Sequence, residues 1–268
     1  MSLIIILVIS VLILLFLFLI FPSLRRHKDR EILNGLYIAH RGLHNIEKGI
    51  PENSIPAFKD AVLKGYAVEI DIHLTKDNKV VVFHDDTALR MCGVDKKICQ
   101  MTLEEIKTLN LSSTGIKIPT LEECLETIDG KVPLLIEVKY DEGTSVKLCE
   151  TAETLLKTYK GKYFIQSFYP QILYWYRKNR PDICRGQLSS AFIGDKFYKK
   201  LSGCLIFNFL SRPDFVSYEH NFATHICRQL VTKLGAFPIG WTFENQNELD
   251  KGKKYFKSYI FENFIPKK

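Results

Sequence analysis

Beyond residue 36 the chain alternates short runs rich in β-branched and aromatic residues with longer amphipathic runs, and no other feature constrains its fold as much. The alternation predicts strands at 37–40, 68–74, 134–139, 163–167, 183–188, 214–218, 238–242 and 258–261. Helices are predicted between them at 54–64, 121–127, 145–159, 170–179, 194–207, 222–233 and 247–256. Strands and helices that alternate in this way build a parallel α/β sheet. Eight strands in roughly 230 residues fit a (β/α)8 barrel of the TIM type, for which about 250 residues is usual. A doubly wound open sheet is the alternative. No Gly-x-Gly-x-x-Gly turn follows any of the strands, so the phosphate-binding crevice of that fold has no fingerprint here. Residues 85–117 break the alternation and are expected to form a small insertion over the barrel mouth, with Thr102 capping a short helix through Glu105 at capping-box spacing.

Charge collects where the predicted strands end. His40 and Arg41 close the first, Glu69, Asp71 and His73 the second, Glu137 and Lys139 the third, Gln166 and Ser167 the fourth, and Trp241 the seventh. Barrels of this kind gather their active sites at the C-terminal strand ends. A charge buried there without a partner is costly, so polar groups converging on one rim point to a ligand. Glu69 and Asp71, two residues apart on a strand, share a face. Adjacent carboxylates repel unless a cation or a shared proton intervenes, which makes a metal the expectation. His73, one step further along the same face, could extend the pair to a three-ligand set. Plainer readings stand beside these: Glu137 with Lys139 as a salt bridge, His84 as a hydrogen-bonded loop histidine, and Trp241 as a rim aromatic. His44, His220 and His225 have no partner visible in sequence and are expected to be structural.

Short motifs follow one another along the chain: His40-Arg41-Gly42, Pro51-Glu52-Asn53-Ser54, Glu69-x-Asp71, Thr75-Lys76-Asp77 and His84-Asp85. Further on come Ile118-Pro119-Thr120, Ile136-Glu137-Val138-Lys139, Gln166-Ser167-Phe168, Gly240-Trp241-Thr242 and Tyr259-Ile260-Phe261-Glu262-Asn263. In these motifs and their order the chain resembles the glycerophosphodiester phosphodiesterase family. The family often has threonine where Ser54 stands, a conservative change at a helix cap. The resemblance implies that Glu69, Asp71 and Glu137 hold a divalent cation, Ca2+ or Mg2+, both of which suit hard carboxylate oxygens. It implies that His40 and His84 are the general acid and base pair, in either order, since imidazoles exchange protons near neutrality. Arg41 and Lys139 would bind the phosphodiester, and Trp241 the glycerol or alcohol group. The attacking group would be water or a neighbouring glycerol hydroxyl. The implied activity is metal-dependent hydrolysis of glycerophosphodiesters to glycerol phosphate and an alcohol. Alternatives are a lysophospholipase D acting on membrane lysophospholipids and a catalytically silent lipid-head-group binding scaffold.

The N-terminus has a different character. Leu3 to Phe21 is nineteen residues broken only by Ser10, about 28 Å as a helix and close to the roughly 30 Å core of a bilayer. A cleaved signal peptide would want basic residues before a shorter apolar stretch and small residues after it. Neither is present. Residues 1–22 are therefore read as a transmembrane anchor, 23–35 as a juxtamembrane linker and 36–268 as the barrel. Arg25, Arg26, Lys28 and Arg30 directly after the span predict a single-pass protein of the cell membrane with its barrel in the cytoplasm. Part of the formal charge of +7 lies there, and part in the lysines of 251–257 and at Lys267 and Lys268. With no nucleic-acid module beside them, the latter read as a solvated helix face and nucleic acid is not an expected partner. Anionic lipid head groups are the better match for basic charge next to a membrane span. Seven scattered cysteines without a Cys-x-x-Cys pair imply neither a disulfide framework nor a zinc ribbon.

Overall fold

The computed structural model describes residues 2–141, 143–191 and 197–267. Its strands are β1 (Tyr37–Ala39), β2 (Ala67–Leu74), β3 (Val80–Val82), β4 (Leu134–Val138), β5 (Tyr163–Ser167), β6 (Arg185–Ser189), β7 (Phe215–Glu219), β8 (Phe237–Phe243) and β9 (Ser258–Phe261). All but β3 are parallel. Ile38 of β1 pairs with Ala67 on one side and with Ile260 of β9 on the other, so the sheet closes into an eight-stranded barrel. This is the architecture the alternation predicts. β3 folds back antiparallel on the end of β2, pairing Val82 with Ile72.

The helices are α1 (Ser2–Ile20), α2 (Ile55–Leu63), α3 (Leu89–Cys92), α4 (Leu103–Thr108), α5 (Leu121–Ile128), α6 (Ser145–Leu156), α7 (Pro170–Asn179), α8 (Phe197–Gly203), α9 (Asn208–Ser211), α10 (Ile226–Lys233) and α11 (Gln246–Gly252). Four differ from expectation at their ends. The helix predicted to start at residue 222 starts at Ile226 as α10, after a 3-10 turn over His220–Phe222. The helix predicted to reach residue 159 stops at Leu156, where Thr158 and Tyr159 donate three residues back instead of four, the tighter turn common at helix ends. α11 stops at Gly252, where a Cβ would lie 2.4 Å from the Phe243 ring. The helix predicted at 194–207 begins among residues 192–196, outside the described residues. Its described part is α8, followed by turns that lead to α9.

Side chains alternate along each strand. The inward set forms two tiers. Ile38, Ala67, Leu135, Phe164, Cys184, Phe215, Phe237, Ile239 and Ile260 make a buried apolar tier. Two or four residues further along the same faces come Glu69, Asp71, Glu137, Gln166, Ser217, Trp241 and Glu262. Gly186 is required by this packing, since a Cβ there would meet the Phe215 ring at 2.0 Å. The outward set, including Val68, Ile70, Ile72, Ile136 and Val138, packs under the surrounding helices.

Residues 23–35, expected as a linker, close the N-terminal end of the barrel. Left uncovered, the lower apolar tier would meet water; Leu33 covers it and is fully buried. A 3-10 turn over Lys28–Leu33 brings it there, held by Arg30 Nη1 donating to Gly235 O (2.6 Å), Gly35 N to Lys257 O (2.9 Å) and the Ser258 hydroxyl to Leu33 O. Ahead of this plug, α1 is long and apolar enough to cross a membrane, with a mean hydropathy of 3.7 over Leu3–Ile20. Among the described residues only its last turns touch the barrel: Ile20 is buried, Asn208 Nδ2 donates to Ile20 O (2.9 Å), and Arg212 Nη1 donates to Phe18 O (3.0 Å) and Phe21 O (2.7 Å).

The polar stretch after β3 folds around a small core of its own, with Phe83, Met91, Ile98, Ile106, Leu111 and Ile118 buried together. Thr102 and Glu105 form the reciprocal capping box anticipated from their spacing.

Candidate active site

β2 and β4 are neighbours in register, Asp71 facing Glu137. Their inward side chains therefore meet, and ligand oxygens of Glu69, Asp71 and Glu137 all lie within 4.8 Å of one another. All three residues are buried. Lys139 Nζ lies 2.8 Å from Asp71 Oδ1 and 2.7 Å from Glu137 Oε1, so it bridges two of the acids. Arg41 adds its backbone N–H to Glu69 Oε2 (3.1 Å) and sets Nε 3.7 Å from Asp71. The charges do not balance: three carboxylates face two cations. Burial and then the charge of Asp71 push Glu69 well above the ordinary carboxylate range, and burial raises Glu137. Burial acts on Asp71 as well, but Lys139, His84 and Arg41 more than offset it and hold that carboxyl low. Lys139 stays charged because Asp71 and Glu137 outweigh the penalty of its burial. Asp71 Oδ1 is buried and, despite the nearby lysine, accepts no well-angled hydrogen bond. A buried, oxygen-only set with one unsatisfied oxygen and an excess of negative charge could hold a divalent metal.

The loops supply the rest. Arg41 takes a left-handed φ of +55° and Gly42 one of +79°, turning the chain sharply at the end of β1. A Cβ on Gly42 would meet Ala57 at 2.9 Å, so the turn packs directly on α2. Asn53, also at positive φ, donates Nδ2 to Asp71 Oδ2 (2.9 Å), while Glu52 accepts from Arg41 Nη1 (2.7 Å) and Arg90 Nη2 (2.7 Å). Arg90 reaches back to Asp85, whose Oδ1 lies 2.6 Å from His84 Nδ1. His40 Nδ1 lies 2.6 Å from Glu262 Oε2. A carboxylate can only accept, so each imidazole carries its proton on Nδ1 and keeps Nε2 for chemistry. Glu262 remains ionised: burial opposes this, but hydrogen bonds and charge from His40 and His44 hold its carboxyl low. Burial pushes both His40 and His84 below 6.5.

His40, Arg41, Glu69, His84, Glu137 and Trp241 line one cavity of about 320 Å³ at the C-terminal strand ends. Asp71 lies beneath it, tied to Lys139. A second cavity of about 550 Å³ adjoins it, sharing His84, Glu137 and Phe168 and adding Lys139, Arg90 and the stacked pair Tyr140 and Tyr169, whose ring centres are 4.5 Å apart. His40, Arg41, Glu69, Asp71, His84, Glu137, Lys139 and Trp241 thus come to one rim. His73 does not join the Glu69 group. It is fully buried with Nδ1 3.1 Å from Asp141 and Nε2 3.3 Å from His84 O, so it braces the segment that carries His84. His220, expected to be structural, lines the mouth, and His44 sits 3.6 Å from Glu262. Glu52, Asn53, Asp85, Arg90, Glu219 and Glu262 were given no role from sequence. Glu262 and Glu219 each lie two residues beyond an inward-facing strand residue, Ile260 and Ser217, and Glu52, Asn53 and Asp85 stand within the motifs quoted above; of the six, Arg90 carried no signal.

A closed parallel barrel whose rim gathers acids, cations and two carboxylate-held imidazoles is an α/β-barrel enzyme suited to an oxygen-rich anion. The family model for the glycerophosphoryl diester phosphodiesterase family matches residues 40–255, and the chain belongs to that family of phosphoric diester hydrolases. Among its relatives are YhdW of Bacillus subtilis, 31% identical over 80% of this chain and 88% of its own length, and a glycerophosphodiester phosphodiesterase of Caldanaerobacter subterraneus subsp. tengcongensis, 31% identical over 81% and 88%. The same fold occurs in an Oleispira antarctica phosphodiesterase solved with the product sn-glycerol-3-phosphate, with 23% identity and a TM-score of 0.71 over 87% of this chain and 94% of that one.

Proposed function

We propose that the chain is a membrane-anchored, metal-dependent enzyme that hydrolyses soluble glycerophosphodiesters to glycerol phosphate and an alcohol. The convergence of Glu69, Asp71 and Glu137 beside His40 and His84 on one rim carries this reading. A Ca2+ or Mg2+ ion on the three carboxylates would supply positive charge for phosphodiester oxygens as the transition state forms. Arg41 and Lys139 orient the phosphate from either side of the acidic set. His40 acts as general base through Nε2, taking the proton of the attacking hydroxyl as its oxygen bonds to phosphorus. His84 acts as general acid in its doubly protonated form: Nδ1 keeps its proton towards Asp85 while Nε2 gives its proton to the alcohol oxygen as that oxygen leaves. The cavities support this order, because His84 borders both while His40 borders only the smaller. Glycerol phosphate then occupies the smaller cavity, against Trp241, and the alcohol the one walled by Tyr140 and Tyr169.

α1 anchors the protein as a single pass in the cell membrane, and the basic residues after it keep the barrel in the cytoplasm. It meets the barrel beside Pro213, ahead of β7, at the end opposite the mouth. That placement favours a soluble diester over a lysophospholipid held in the same bilayer. The test is hydrolysis by the full chain of a panel of glycerophosphodiesters and lysophospholipids, with and without chelator. Turnover of the diesters that chelator stops is expected; chelator-resistant turnover, or turnover confined to lysophospholipids, would overturn the reading.

A further inference from the structure

A further concavity lies at the other end of the barrel. A groove of about 850 Å³ runs between the segment after α1 and the N-terminal ends of β5, β6 and β7. Arg25, Arg26 and Lys28 enter it from the plug. Lys162, Arg177, Arg185 and Arg212 enter it from the barrel, and only Asp29, Asp182 and Asp214 oppose them. The acids neutralise little of this charge. Asp29 pairs with Lys162 at 3.1 Å, Asp182 pairs with Arg180 outside the groove, and Asp214 comes no closer than 3.9 Å to Arg185 Nη1. Instead the guanidinium groups bond to neutral carbonyls: Arg177 to Phe209 O and Leu210 O, Arg185 to Ser211 O and Arg212 O, and Arg212 to Phe18 O and Phe21 O. Arg185 is only 6% exposed. Burial and the neighbouring Arg177 charge push Arg212 below its ordinary value. Among the described residues no hydrogen bond or ion pair engages the side chains of Arg25, Arg26 or Lys28.

The position of the groove identifies what can fill it. Arg212 binds the last carbonyls of the apolar run, so the groove opens where that run ends, at the level of lipid phosphates for a helix that spans the bilayer. We propose that the groove binds the phosphate of an anionic phospholipid head group, fixing the closed end of the barrel to the bilayer and turning the catalytic mouth away from it. This rests on the reading of α1 as a membrane anchor. The groove is separate from the catalytic rim, so its charges can be removed without touching the chemistry.

The full chain, inserted into nanodiscs of mixed phosphatidylcholine and phosphatidylglycerol, tests this by native mass spectrometry of the retained lipid. Wild type should retain phosphatidylglycerol preferentially. Lys162→Gln with Arg177→Gln should lower that preference by about fivefold for each charge lost. Arg25→Gln with Arg26→Gln, at exposed positions that bear on no packing, should do the same, so misfolding of an Arg177 variant does not decide the matter. Hydrolysis of soluble diesters should be unchanged in every variant. Equal retention of the two lipids by wild type, or undiminished preference in the Arg25/Arg26 variant, would overturn the site. Inorganic phosphate competing as well as lipid would replace it with a small-anion site. A chain that enters no nanodisc retains neither lipid, and that distinct outcome would remove the anchor and this inference with it.

Discussion

Glu262, one residue past the last strand of the barrel, accepts a 2.6 Å hydrogen bond from Nδ1 of His40, one residue past the first. Pairing of β9 with β1 closes the barrel and brings the two together across almost the whole chain. The carboxylate holds the proton on Nδ1 and raises the basicity of the ring against the lowering effect of burial. Glu262→Gln should therefore depress kcat and move the acidic limb of the rate profile to still lower pH, because a neutral amide raises the imidazole less. KM should change little, since Glu262 is assigned no bond to substrate. An unmoved pH profile would reduce Glu262 to a structural strand-end residue.

The acidic cluster predicts opposite effects on activity and stability. Glu69→Gln or Asp71→Asn should abolish hydrolysis. With chelator present, folding of the wild type should weaken as pH rises: Glu69 ionises near 4.5 in the unfolded chain but well above that when folded, so stability present in acid is lost as pH climbs towards the folded value. Glu69→Gln should flatten that slope in denaturant titrations across the same range. Near-normal turnover in either variant would refute the metal assignment.

Topology follows from charge. A reporter fused after Lys268 should behave as cytoplasmic, and protease added to intact cells should leave the barrel whole. Cleavage from outside would reverse the orientation.

The plug offers a stability test separate from catalysis. Leu33 is fully buried in the inner tier, and truncating a buried leucine leaves a cavity that costs about 2–5 kcal/mol. Leu33→Ala should lower the midpoint of denaturant unfolding by a corresponding amount while kcat on soluble diesters holds, because the mouth is at the far end. An unchanged midpoint would mean that the plug is not part of the folded unit.

These relationships mark what could be read from residues alone. Glu69, Asp71, Glu137 and Lys139 were legible because strand periodicity puts every second residue on one face and parallel register then brings neighbouring strands level. The contacts of Asn53, Glu52, Asp85 and Arg90 were not, although the first three stand within the quoted motifs, because they sit on loops whose partners are set by tertiary closure; nothing local to Arg90 announces Glu52, 38 positions away. The same limit explains the plug. Leu33 follows a charged stretch that reads as a spacer, and only the open lower tier of the barrel gives that leucine a place to go. His73 shows the converse, since periodicity aligned it with two acids but Asp141, on a different loop, took its ring.

The histidines can be told apart by the leaving group. General acid or base catalysis contributes typically about 10²–10⁴-fold, so His40→Ala and His84→Ala should each lose about that much in kcat on natural diesters. Neither imidazole belongs to the carboxylate set, so both variants should still bind the metal, measured by equilibrium dialysis. A p-nitrophenyl ester departs without needing a proton. His84→Ala should therefore recover most of its activity on that ester, while His40→Ala should not, because the attacking hydroxyl still needs a base. In the wild type His40 must be neutral and His84 protonated to act, and since burial lowers both below 6.5, activity should fall on the acid side as His40 gains a proton and on the alkaline side as His84 loses one. Rescue of His40→Ala in place of His84→Ala would exchange the two roles, and wild-type rates in both variants would end the acid–base assignment.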